Sequence, residues 1–85
     1  MSDESFEPNE IIILIALYRT GVLNFADIRK LIGKGKLTSA SYADSFIYSL
    51  KMKNLIIEKK YKRYRFFELT EKGKKVASRL SKTYG

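Results

Sequence analysis

The apolar run IIILIALY, Ile11–Tyr18, constrains this 85-residue chain more than any other stretch. Pro8 suits the first turn of a helix, where its missing N–H costs nothing, and Gly21 suits the end. On a helical wheel Ile11, Leu14, Ile15 and Tyr18 form one face, and Ile12, Ile13, Ala16 and Leu17 the opposite one. A helix that is apolar all round has to be covered on most sides. In so short a chain, one face can cover the core while another meets a partner. Ile12, Ile13 and Ala16, with Val76, Leu80 and Tyr84 from the C-terminal segment, are the expected homodimer surface. The alternative is that both sets simply close the monomer core.

The run is far short of the ~20 residues a membrane span needs, and the residues before it are acidic, unlike a secretory signal. The expectation is a cytoplasmic, nucleoid-associated protein without a membrane partner. Charge divides the chain. Residues 1–10 hold Asp3, Glu4, Glu7 and Glu10 and no cation, whereas residues 29–85 hold 16 cations against 4 anions. Residues 1–6 read as a flexible acidic tail and 7–85 as one domain. Basicity sustained over most of a domain points to a polyanionic partner. The lack of His, Cys, Trp and Gln, beside abundant Ile, Lys and Tyr, is in keeping with a thermophilic source.

That composition also argues against enzyme chemistry. Without His or Cys there is no imidazole base, no thiol nucleophile and no ordinary zinc site. No metal or cofactor is expected. GKGKLT (Gly33–Thr38) has a superficial likeness to a phosphate loop. Lys30 stands where the first Gly should be, and Leu37 where Ser or Thr should follow the Lys, so it reads as a turn.

Downstream, Asn24 can cap a second helix carrying Phe25, Ile28, Leu31 and Ile32 as its stripe. Thr38 or Ser39 can cap a third, with Ala43, Phe46, Ile47 and Leu50 on one face, and Asn54 can end it in the left-handed region. LIIEKKYKRYRFFEL is β-branched and aromatic, and predicts a hairpin: strand 56–61, a turn at Lys62–Arg63, strand 64–69. Thr70 caps a final helix of about 71–84. The fold class is α+β, mostly α: three helices, a β-hairpin and a C-terminal helix.

A helix ending at Leu50, then KNLI, a basic hairpin and LTEKG (Leu69–Gly73), resembles the winged helix-turn-helix of the MarR and PadR regulator families over about residues 9–82. Asn54 stands where those families usually have Gly. The resemblance implies a helix-turn-helix at about 25–53, a wing at about 56–69 and binding to double-stranded DNA. It implies that the third helix enters the major groove, presenting Ser39, Ser41, Tyr42, Ser45 and Tyr48. Lys59, Lys60, Lys62, Arg63 and Arg65 on the wing would meet phosphates, with Arg63 at the tip as a minor-groove probe. Arg29, Lys30, Lys34 and Lys36 are further backbone candidates. The hairpin tyrosines read as packing residues or phosphate donors rather than stacking platforms. The chain lacks the extra helices that build ligand pockets in longer members, so no small-molecule effector is expected.

No Arg, Asn or Gln lies on the first turns of the third helix, and those residues make the strongest base contacts. The expected function is a homodimeric transcription regulator, a repressor that occludes a promoter. The alternatives are an architectural or partition-type DNA-binding protein of low specificity, or a winged-helix protein-interaction module.

Overall fold

The computed structural model describes residues 5–84, so residues 1–4 of the expected tail lie outside the described residues. Phe6, at the end of that segment, is half-buried against the core. α1 spans Pro8–Thr20, with Pro8 in its first turn. Glu7 and Glu10 form a reciprocal capping box at its start, and Gly21 ends it at φ +88°. Its buried residues are Glu10, Ile13, Leu14 and Leu17, the i, i+3, i+4, i+7 stripe of a single inward face. The two opposed faces drawn on the wheel are therefore re-phased: Ile13 is fully buried and belongs to the monomer core. Val76 is likewise buried, where α1 packs on the C-terminal helix. Neither is available to a partner chain, which corrects two of the expected interface residues.

A two-residue strand, β1 (Leu23–Asn24), leads into α2 (Phe25–Ile32). The Asn24 side chain accepts from the Asp27 N–H at 2.7 Å, and Asp27 accepts from the Asn24 N–H at 3.2 Å. Both open donors are satisfied by this exchange. α3 (Ala40–Met52) is capped by Ser39, and Asn54 after it takes φ +63°, the left-handed conformation that Asn tolerates. β2 (Ile56–Tyr61) and β3 (Tyr64–Leu69) form the hairpin, paired Ile56↔Leu69 through Tyr61↔Tyr64. Lys62 opens its two-residue turn at φ +58° without a glycine. β1 adds to the free edge of β3 through Leu23↔Phe67 and Asn24↔Phe66, giving the order β1-β3-β2.

α4 (Glu71–Tyr84) begins at the LTEKG junction. The Thr70 hydroxyl accepts from the Gly73 N–H at 2.9 Å and donates to the Asn54 carbonyl at 2.8 Å. The Thr70 N–H donates to the Leu55 carbonyl at 3.0 Å. One residue thus caps α4 and ties it to the end of α3. Gly73 is buried against this seam, and a Cβ there would overlap the Leu55 carbonyl oxygen. Beneath the seam, Ile13, Leu14, Leu17, Ile28, Ile47, Leu50, Leu55 and Phe67 fill the centre of the domain.

The junction yields a measurable expectation. Gly73→Ala raises helix propensity by about 1 kcal/mol but forces backbone apart, so the net loss is about 2 kcal/mol. Urea unfolding followed by circular dichroism reads this as a lower midpoint; a midpoint equal to or above wild type would show that the seam yields freely.

Candidate nucleic-acid interface

Strand parity sorts the hairpin side chains. Ile56, Glu58 and Lys60 share a face with Arg65, Phe67 and Leu69; Ile57, Lys59 and Tyr61 share the other with Tyr64, Phe66 and Glu68. The first face looks toward α3. There Arg65 donates from Nε to Glu58 at 2.6 Å and from its terminal nitrogens to Asp44 at 2.8 and 3.4 Å. Its guanidinium carbon lies 4.3 Å from the Phe25 ring centroid and 5.4 Å from that of Phe67. Lys51, at the far end of α3, donates to Glu58 at 3.0 Å. Forked, charge-assisted bonds over aromatic faces are the geometry Arg suits best. Arg65 therefore joins α2, α3 and both hairpin strands, so the guanidinium expected to meet phosphates is engaged within the fold.

Arg29 is also committed within the fold. Its Nε–H donates to the Thr38 carbonyl at 2.8 Å, and its guanidinium lies 5.6 Å from the Phe25 ring. It fixes the turn before α3. Lys30 and Lys34 line a shallow depression with Thr20, Leu23 and Asp27 on the α1–α2 side, while Lys36 is exposed in the turn. Lys59 pairs with Glu68 at 3.2 Å. Among the described residues Lys60 and Arg63 have no ion-pair partner, and Lys62 has only the Tyr61 ring, 5.5 Å away. Lys51, Glu58, Lys60 and Arg65 line an open cleft of about 440 Å³ between α3 and the hairpin.

On α3, Ser39 accepts from the Tyr42 N–H at 3.2 Å as the cap. The Ser45 hydroxyl donates to the Tyr42 carbonyl at 2.6 Å. The Tyr42 hydroxyl accepts from Asn9 at 3.2 Å, and its ring meets Phe46 edge-on. Ser41 and Tyr48 are exposed and make no such bond among the described residues. The outward face thus comprises Ser41, Tyr42, Ser45 and Tyr48, with two hydroxyls unengaged.

Two anchoring carboxylates escaped the sequence reading. Asp44, on α3, is neutralised by Arg65. Glu10, counted in the sequence only among the acidic residues 1–10, is buried and accepts from the Glu7 N–H at 2.8 Å and from Lys53 at 3.3 Å. Burial raises the Glu10 pKa, but hydrogen bonds from Ser49, the Glu7 N–H and Lys53 outweigh it, and the net shift is downward. The available signals were the Glu7–Glu10 capping spacing, and the parity that puts Arg65 beside Phe67.

The Arg65 hydrogen bond holds the Glu58 carboxyl at about 2, well below its ordinary 4.5, against a smaller opposing effect of burial. A lowered folded-state pKa gives stability that is fully present above pH 4.5 and lost as pH falls toward 2. Wild-type urea midpoints should therefore decline across that interval. Glu58→Gln should cost about 2 kcal/mol at pH 7 and flatten the decline; an equally steep decline in the variant would show that Glu58 does not carry it.

No protein-family model matches the chain, and no curated protein does. Solved structures do resemble it. The adhesin competence repressor AdcR of Streptococcus pyogenes superposes with a TM-score of 0.80 at 24% identity, over 96% of this chain and 60% of AdcR. NadR, seen in complex with 4-hydroxyphenylacetate, gives 0.79 at 19% identity, over 91% of this chain and 54% of NadR. F-93 of SSV1 gives 0.73 at 23% identity, over 96% of this chain and 91% of F-93. The chain thus spans little more than half of NadR and AdcR but most of F-93. At these identities the likeness is one of fold, and the fold is the α+β winged helix-turn-helix: α2 and α3 form the helix pair, β2 and β3 the wing.

Proposed function

We propose that the chain binds double-stranded DNA as a homodimeric transcription regulator, a repressor that occludes its site. The observation that carries this reading is the unpaired cation cluster at the wing, Lys60, Lys62 and Arg63, set beside the exposed polar face of α3. In this reading α3 lies in the major groove, the cleft at Lys51 and Lys60 follows the phosphate backbone, and Arg63 reaches the minor groove. The proposed dimer surface is the outer side of α1. Phe6, Ile11, Ile12, Ile15, Ala16 and Tyr84 line an open apolar groove of about 620 Å³ there. A two-fold pair would set the recognition helices about 34 Å apart, one turn of duplex. The reading needs no small-molecule effector; the 4-hydroxyphenylacetate complex is NadR's.

A second reading, low-specificity coating of DNA, is favoured by one observation. The hydroxyls of Ser39 and Ser45 are occupied by backbone groups, which leaves few base-reading atoms on α3. A footprint that spreads as protein is added supports this second reading; one bounded footprint supports the operator-specific one.

Two variants test the proposal. Lys62→Ala with Arg63→Ala should weaken binding to every duplex and reduce the slope of log K against log salt by about 2, one unit per lost phosphate contact. An unchanged slope removes the wing from the interface. Ile12→Lys should convert a species near twice the 9.9 kDa chain mass to a single chain in sedimentation equilibrium, and weaken duplex binding. A wild-type monomer would overturn the dimer.

A further inference from the structure

We propose that the outer face of the wing is a base-stacking platform for single-stranded DNA. The proposal rests on the DNA-binding reading for its charge and shares the turn cations Lys62 and Arg63 with it, but its rings lie on the hairpin face opposite the one turned toward α3. Arg65, Glu58 and Lys60 occupy the hairpin face turned toward α3; Tyr61, Tyr64 and Phe66 occupy the other. Seated with α3 in a major groove, the wing would turn these rings away from the helix-reading side.

Two of these rings, Tyr61 and Tyr64, are unexplained by packing, while Phe66 is half-buried. Tyr61 is 64% exposed and Tyr64 56%, and they sit directly opposite each other across the strands. Phe66 continues the strip, its ring centroid 6.5 Å from that of Tyr64, and Ile57 extends it, 42% exposed. This exposure goes against the packing alternative expected for the hairpin tyrosines and does not touch the phosphate-donor one. Neither hydroxyl has a hydrogen-bond partner among the described residues. Cations border the strip: Lys62 lies 5.5 Å from the Tyr61 ring and Arg63 shares the turn, while Lys59, opposite Phe66, is paired with Glu68 on the same face.

Exposed rings on a sheet, edged by Lys and Arg, offer what an unpaired strand needs. Every base has a π-face to stack, and every linkage a phosphate to neutralise. A closed duplex keeps its base faces stacked and offers only their edges in the grooves. Charge complementarity selects a nucleic acid over an apolar protein partner, because such a partner would have to strip water from the bordering cations. The site would hold a frayed or melted strand beside the duplex bound by α3.

The test uses the full chain with two labelled probes, an oligo(dT) of about 20 nucleotides and a duplex of equal length. Tyr61→Ala with Tyr64→Ala should lose at least about tenfold in oligo(dT) affinity, while duplex affinity changes by less than about twofold. Tyr61→Phe with Tyr64→Phe should keep oligo(dT) affinity, since rings and not hydroxyls do the stacking. The chain has no Trp, so quenching of tyrosine emission by oligo(dT) is a second readout, and the Ala pair should diminish it. Wild-type binding to duplex but not to oligo(dT), or equal oligo(dT) affinity in the Ala pair, overturns the platform and leaves the duplex reading standing. Binding to neither probe overturns both.

Discussion

The placement of the wing depends on a single guanidinium. Arg65 grips Asp44 of α3 and Glu58 of β2 while lying against Phe25 of α2 and Phe67 of β3. Partly buried ion pairs often add little net stability, because desolvation offsets attraction. Their value is directional, since a forked set of bonds tolerates little rotation. The base of the hairpin is held by buried Ile56 and Phe67 and by the short pairing of β1 with β3, and Arg65 adds the polar tie to α3. With Arg65 in place, the hairpin is indexed to the helix it must work beside. Lys51 adds a second strut from the same helix to the same Glu58.

A comparable anchor sits at the opposite side of α3. Lys53 contacts buried Glu10, the Ser5 carbonyl at 3.0 Å and the Phe6 ring at 4.6 Å. The end of α3 is thus fastened both to α1 and, through Asn54 and Thr70, to α4. The helix proposed to meet DNA is held by charged or hydrogen-bonded contacts at its flanks and by Ala43, Ile47 and Leu50 along its buried side. Its remaining side is left unconstrained.

Most of the architecture was legible in the sequence because periodicity and punctuation agreed. Asn24, Ser39, Asn54 and Thr70 mark element ends by chemistry that acts within a few residues. Failures came where the deciding contact was distant. α1 has no polar face to fix its phase, so Ile13 could not be told from Ile12 until α4 was packed on it. β1 is two residues long and has no pattern of its own; only its pairing with β3 defines it. Arg65 and Arg29 looked like free cations because their partners lie 21 and 9 positions away. The wing's turn carries no glycine signal, and Lys62 accepts a left-handed backbone that usually costs about 1 kcal/mol.

The two unengaged positions on α3 carry a consequence for how such a protein changes over time. Ser41 and Tyr48 contribute no bond to the fold, so substitution there leaves the scaffold intact. Ser39, Ser45 and Asp44, interleaved with them, are bound into caps and the Arg65 clamp and resist replacement. Under the proposed DNA-binding reading, recognition can therefore be rewritten at these two positions while the rest of the helix stays fixed. Lineages carrying this scaffold could acquire new targets without passing through unfolded ancestors, and the same two positions are where a designer would begin.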